Sequence, residues 1–379
     1  MPTGDQALTD YIHERIRRDG PVSFAWFMEQ ALYHPELGYY SSGRCAIGRR
    51  GDYFTNVSVG PLFGRLLAAQ FAEMWELLGR PGDFTIVEQG AHHGDFARDV
   101  LAAASEKNPE FFSALRYCIV EPFPILQERQ QEALRDFGGK VDWENSLENL
   151  KPFCGVHFSN ELLDAMPVHL ISRSREGEWR ERRVAEANDG FTFVTGPIED
   201  GKLRKHLESI GANLPGDYET EVNLAALEWI GAVSRKLERG YVMMGDYGYP
   251  RVKFYSPERT TGTLQCYAQH RTISSPLCEI GEADISAHID WTSIAARAEE
   301  GGLTLVGFTD QHHFITGLIS RLTPGEFEGS DASTRRALQT LLHPELLGAS
   351  FQFLALGKNA PSDSLSGFTF ARNPRMALL

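Results

Sequence analysis

The segment Phe84 to Leu101, FTIVEQGAHHGDFARDVL, constrains the fold more than any other part of the chain. An apolar run through Phe84, Ile86 and Val87 reaches Glu88, Gly90 and Gly94 punctuate a loop, and Phe96, Ala97, Val100 and Leu101 then recur at helical spacing. The pattern is a strand, a glycine turn and a helix. Glycines on such a turn let a ligand approach the backbone, and the helix start offers N–H groups to a negative group. A tight turn without a ligand is the plain alternative. A second segment favours the ligand: Leu115 to Val120 reads as another strand ending on Glu121, before a helix with Ile125, Leu126 and Leu134. One carboxylate there accepts hydrogen bonds from both hydroxyls of a ribose.

Composition limits the partners. The 379 residues carry a formal net charge of -14 and a pI near 5.4, which disfavours electrostatic binding to nucleic acid or to an anionic membrane. Arg180, Arg182 and Arg183 lie close together, as solvated charged faces often do. The five cysteines show no C-x-x-C spacing, which fits a reducing interior without disulfides or structural zinc. No apolar run is long enough to span a bilayer, and the first twenty residues lack the apolar core of a secretory signal. These features lead to the expectation of a cytoplasmic protein. The oligomeric state is not legible.

Along the chain, Leu8, Ile12 and Ile16 mark an amphipathic helix over Ala7 to Arg18, and Ser23 stands as the N-cap of a second. A long glycine- and aromatic-rich loop follows, of the kind that covers functional sites. After a helix from Leu62 to Leu78 come the strand–turn–helix and further alternation. Lys140 to Trp143 reads as a third strand and Val156 to Ser159 as a fourth, which delivers Asn160 and Glu161 to the carboxyl edge of the sheet. If a helix continues from there, Asp164 lies one turn on, facing the same cleft. The alternative is that Asn160 or Asp164 caps that helix. From Leu170 alternating segments look like antiparallel strands, then helices are expected near Arg204 to Ile210 and from Tyr218 to Leu237. Tyr241 to Gly245 is the fifth parallel strand, ending on Asp246 and Tyr247. A helix from Asp290 to Glu300 and antiparallel strands at Leu303 to Phe308 and Ser350 to Leu356 complete the sheet.

Several motifs occur in order: GDYFTN from Gly51, PLFG from Pro61, EQGAHHG from Glu88, SNELLDAMPVH from Ser159, GDYGY from Gly245, GTLQCYAQH from Gly262 and DISAHIDWTSI from Asp284. Together they resemble the MidA family of class I S-adenosylmethionine methyltransferases, which includes a mitochondrial assembly factor of respiratory complex I. The family pattern E-L-G-P-G-R-G places its middle glycine at His92, with Ala91 and His93 for proline and arginine. Gly90 and Gly94 are retained. The histidine pair also admits a metal or base reading, but neighbours on a turn point apart and no ligand set completes a site, so no metal is expected.

The resemblance implies an α/β fold: a Rossmann-like, mostly parallel sheet at 81–169 and 238–358, an N-terminal helical region with a lid loop at 1–80, an inserted α+β subdomain at 170–237, and a C-terminal arm at 359–379. The cofactor implied is S-adenosyl-L-methionine, with Glu88, Gly90, Gly94 and Asp95 expected at its methionine end, Glu121 on the ribose, and Ser146 and Asn160 as further contacts. The acceptor implied is an arginine of a protein partner, such as a respiratory-complex or other assembly client. It would be oriented by Asn160, Glu161 and Asp164 and bounded by Asp52, Thr55, His169, Asp246, Tyr247 and His270. Two other classes remain open: a non-catalytic scaffold, motivated by His92, and a nicotinamide oxidoreductase, which shares only the nucleotide-binding architecture.

Overall fold

Near-continuous apolar runs such as Ile86-Val87 and Tyr117 to Val120 suit strands covered on both faces, and they form a central sheet. A computed structural model describes residues 4–44, 56–188, 190–210, 214–268, 271–322, 331–343, 351–361 and 365–379. The chain divides into two compact units, one made of 1–54, 163–228 and 251–289, the other of 55–162, 229–250 and 290–379.

The second unit contains the sheet. Its main strands are β1 (Phe84–Gln89), β2 (Leu115–Val120), β3 (Val141–Glu144), β4 (Phe153–Asn160), β5 (Leu237–Tyr249), β6 (Thr304–Asp310) and β7 (Phe351–Lys358), and the short strand Ile289–Asp290 also pairs with β5. Their order is β3-β2-β1-β4-β5-β7-β6, and β7 runs antiparallel to both β5 and β6 while the other pairs are parallel. The order reverses between β1 and β4. Open α/β sheets bind ligands at such a switch point, beyond the carboxyl ends of the strands. The two last strands pair as the sequence suggests, although helices Gln311–Ser320 and Ala332–Leu342 lie between them in the chain.

Two helices fix the glycine turn to this sheet, α1 (Leu62–Leu77) and α2 (Asp95–Lys107). Phe158 of β4 packs on Phe96 of α2 with ring centroids 4.6 Å apart and on Phe71 of α1 at 5.5 Å. All three are buried, and truncating such an aromatic to alanine costs about 3–5 kcal/mol. The C-terminal tail packs on the sheet-bearing unit: the turn Ser366–Phe368 is buried, its Ser366 Oγ and Gly367 N–H donating to Glu73 (2.8 Å) and Gln70 (2.9 Å) of α1.

The first unit holds helices Gln6–Asp19 and Phe24–Tyr33, capped by Asp5 and by Ser23, whose hydroxyl accepts from Trp26 N–H. Their apolar faces join Leu170 and Val184 in one core. Val22–Ser23, Trp179–Ala187, His169–Arg173 and Tyr218–Val222 form an antiparallel sheet in that order, with Gly190–Gly196 also paired to Trp179–Ala187. A helix expected from Tyr218 to Leu237 is therefore corrected. The alternation Y-E-T-E-V makes Tyr218–Val222 a strand, and Asn223, whose Oδ1 accepts from Ala226 N–H at 2.8 Å, starts the helix Leu224–Lys236.

Candidate active site

β1 ends at Gln89, and the chain turns through two left-handed glycines, Gly90 and Gly94, both at φ 83°. His92 between them also lies in the left-handed region, at φ 47°. That conformation costs a non-glycine residue roughly 1–2 kcal/mol, and the surroundings hold it. Gly94 N–H closes the turn on Ala91 O at 2.8 Å, and the His92 carbonyl accepts from Gln130 Nε2 at 2.9 Å. The loop thus keeps a left-handed residue where the family pattern has its middle glycine. Gly94, the N-cap of α2, supplies no side-chain acceptor, so the first-turn N–H groups face outward toward any anionic group. Asp95 in that turn pairs with Arg98 at 2.7 Å. The rings of His92 and His93 stack with centroids 3.7 Å apart, and Arg129 Nη1 lies 3.2 Å from His93 Nε2. Burial and then the Arg129 charge lower the His93 pKa.

Glu121 closes β2 and is only 5% exposed. Its Oε1 accepts from Phe123 N–H at 3.1 Å and its Oε2 from Gln130 Nε2 at 3.0 Å, which orients the carboxylate at the strand end. Burial nevertheless pushes its pKa up to about 7, those hydrogen bonds opposing. Gln130 sits on α3 (Pro124–Ala133), fully buried, and its own oxygen accepts from Trp143 Nε1 at 3.0 Å. One amide therefore ties the glycine turn, the acidic strand end and β3 together. Glu88 is buried within β1, accepts from Tyr117 Oη at 2.6 Å, and is also raised to about 7 by burial.

At the switch point β4 delivers Asn160 and Glu161. Asn160 Nδ2 donates to Glu161 Oε1 at 2.9 Å, Glu161 takes φ 52°, and its N–H donates to Gly245 O at 2.9 Å. Asn56 joins them, giving Nδ2 to Asn160 Oδ1 and its backbone N–H to Glu161 Oε1, both at 3.2 Å. Asp246 of β5 is fully buried. Its carboxylate accepts from Leu162 N–H at 3.1 Å and Tyr247 N–H at 2.7 Å, bracing the chain just past Glu161. No helix follows Asn160: residues 161–168 are turns and irregular backbone, so helical spacing does not link Asp164 to Glu161, and neither Asn160 nor Asp164 caps a helix.

Asp164 and His169 belong to the other compact unit, where Asp164 O accepts from Ala287 N–H at 2.9 Å and His169 Nδ1 lies 2.8 Å from Glu181 Oε1. Ser146 starts the turn after β3, its carbonyl accepting from Leu150 N–H at 3.3 Å. The Tyr247 ring meets Phe351 edge-on at 5.0 Å. Asp52, Thr55 and His270 lie outside the described residues. Sequence reasoning passed over Gln130 and Asn56. Gln130 reads as one of several polar residues on a helix, and Asn56 is the last letter of GDYFTN, 104 positions from Asn160.

The strand order with its antiparallel seventh strand, the left-handed turn into an uncapped helix and the buried acid closing β2 define a class I methyltransferase. A buried carboxylate for the ribose and N–H groups for the amino-acid end fit S-adenosylmethionine. A family model of S-adenosyl-L-methionine-dependent methyltransferases matches residues 66–309, and the chain belongs to that family, the MidA-type enzymes. It is similar to the mitochondrial protein arginine methyltransferase NDUFAF7 of Homo sapiens, 25% identical over 96% of this chain and 85% of that protein. The Drosophila melanogaster homolog is 26% identical over 93% and 85%. A superfamily protein from Burkholderia thailandensis, solved with S-adenosyl-homocysteine bound, superimposes with a TM-score of 0.87 and 29% identity, covering 98% of this chain and 96% of that one.

The chain is thus an S-adenosylmethionine-dependent methyltransferase, which displaces the nicotinamide reading. The cytoplasmic expectation is corrected, because the relatives from fly, human and cattle are named mitochondrial. Its physical basis was weak. Reduced cysteines suit more than one compartment, and organellar targeting sequences are amphipathic, without the apolar core of a secretory signal. Among the described residues no helix is long and apolar enough to cross a membrane.

Proposed function

We propose that this enzyme methylates an arginine side chain of a protein partner, an assembly client in the sense the family resemblance implies. The observation that carries the reading is the Glu161 carboxylate, held in a left-handed turn beside Asn160 at the switch point of the sheet. A planar guanidinium matches a carboxylate through paired hydrogen bonds. The relatives' names as protein arginine methyltransferases support the same acceptor.

In this reading Glu121 accepts from the ribose hydroxyls, and Glu88, Gly90, Gly94 and Asp95 shape the methionine end, with Ser146 near the base. S-adenosylmethionine supplies an electrophilic methyl on its sulfonium. The protein contributes position and exclusion of water, because the attacking nitrogen must lie in line with the bond that breaks. Glu161 fixes which guanidinium nitrogen points forward, offsets its charge and accepts the N–H proton that this nitrogen gives up as the N–C bond forms and the S–C bond breaks, while Asn160 holds Glu161. Asp246 acts through the backbone of Leu162. Asp164, His169, Tyr247, Asp52, Thr55 and His270 are assigned to acceptor recognition, together with the inserted segment 170–237.

The test is Glu161→Gln in the full-length enzyme, assayed with labelled cofactor on an arginine-containing protein fraction. Methyl incorporation should fall at least about a hundredfold with S-adenosylhomocysteine affinity unchanged, the scale of losing an interaction made in the transition state. Full activity in Glu161→Gln would sink the assignment.

A further inference from the structure

Asn56 is not assigned a part in the reaction above, yet it carries the most specific unsatisfied group at the switch point. It is fully buried, and its Oδ1 has no hydrogen-bond partner among the described residues. It stands at the N-cap of the turn Val57–Val59, where an asparagine oxygen commonly accepts from the following backbone, but no such bond forms.

The direction of this amide is dictated by its neighbours. The Glu161 carboxylate only accepts, so Asn160 must present Nδ2 to Glu161 Oε1 (2.9 Å) and Oδ1 to Asn56. Asn56 must then present Nδ2 to Asn160 (3.2 Å), which leaves Oδ1 as the atom without a partner. A flip of either amide would set like against like. The chain from Glu161 through Asn160 thus ends in an oriented acceptor, in a place where an unmatched polar group is costly.

We propose that Asn56 Oδ1 accepts an N–H of the methyl-accepting cation, so that the acceptor is gripped by the Asn56 amide oxygen as well as by Glu161. The ligand class is a nitrogen cation with at least two donors. The proposal rests on the reading of a cationic acceptor, and it separates from the arginine assignment because an alkylammonium would satisfy the same oxygen.

The experiment titrates the full-length protein, saturated with S-adenosylhomocysteine, with ethylguanidinium and with propylammonium, following binding by NMR. Asn56→Leu removes the acceptor at similar volume. Asn56→Asp keeps an acceptor oxygen but removes the donor to Asn160. The expected result is that cation binding weakens about tenfold or more in Asn56→Leu and persists in Asn56→Asp, with S-adenosylhomocysteine affinity unchanged in both. Equal losses in both variants would make Asn56 a brace for Asn160 and overturn the proposal. So would a loss of cofactor affinity in Asn56→Leu, unaltered cation binding there, or no cation binding to the wild type. Asn56-dependent binding of propylammonium but not of ethylguanidinium upholds the role of Asn56 and overturns the arginine reading instead.

Discussion

Cofactor binding should depend steeply on pH between 6 and 8, and Glu121 is the reason. An ionised carboxylate accepts from both ribose hydroxyls, whereas the protonated acid turns one oxygen into a donor. Burial raises the Glu121 pKa to about 7. If only the ionised form binds, the apparent Kd scales as one plus ten raised to the pKa minus the pH. The ratio between pH 6 and pH 8 is then about 11 over 1.1, a tenfold weakening on acidification, equivalent to about 1.4 kcal/mol. Calorimetry with S-adenosylhomocysteine across this range provides the assay, and at pH 6 proton release on binding should be detectable from buffer dependence. Glu121→Gln should bind weakly at every pH, without the tenfold change. Glu88 is raised by burial to a similar value, so Glu88→Gln serves as the control for its share. A wild-type affinity that stays flat from pH 6 to 8, or a Glu121→Gln variant that keeps the full tenfold drop, refutes the reasoning.

Three further outcomes follow from particular contacts. Gln130→Leu removes a hydrogen bond that lowers the Glu121 pKa and leaves the Trp143 N–H and the His92 carbonyl without this partner; the midpoint of the pH effect should move upward and S-adenosylhomocysteine should bind more weakly. His157, buried in β4 against Trp229, has its pKa lowered from 6.5 to about 3, so its stabilising contribution is complete above 6.5 and declines as the pH falls toward 3. At pH 5 the loss is about 2 kcal/mol, and His157→Leu should remove about that much of the fall in unfolding free energy between pH 7 and 5, measured by urea titration at each pH. Gly262→Ala would place a Cβ 2.1 Å from Glu221 Oε1 at a φ of 73°, in a loop whose Thr263 and Leu264 N–H groups donate to the same carboxylate. Thermal or urea unfolding should show a destabilisation of at least about 1–2 kcal/mol, and an unchanged midpoint would contradict the packing described.

The strand, glycine turn and helix were legible because each is a local pattern: an apolar run, punctuation at Gly90 and Gly94, and helical spacing from Phe96. Glu121 was legible for the same reason, as the acid that closes an apolar strand. The helix expected over Tyr218 to Leu237 shows where local pattern misleads, since a five-residue alternation was merged with the helical spacing beyond Asn223. Asp164 shows it again, because its spacing from Asn160 has meaning only on a helix and the chain there is irregular. What stayed hidden was tertiary. The bond from Asn56 to Asn160 joins residues 104 positions apart, and the burial of Gln130 depends on how α3 meets the glycine turn. His92 presents a different case: the sequence shows a departure from the family pattern, but only the backbone reveals that the residue keeps a left-handed conformation.

The most direct test of the account is to identify the methylated atom. Full-length enzyme, S-adenosylmethionine labelled in its methyl group and a lysate of its own source would be incubated, the proteins hydrolysed, and the labelled amino acid identified by mass spectrometry. Label in methylarginine, lost with Glu121→Ala and with Glu161→Gln, is the predicted result. Label in another amino acid or in a small molecule, or in methylarginine at the wild-type level in both variants, would contradict the acceptor and the site assigned to it.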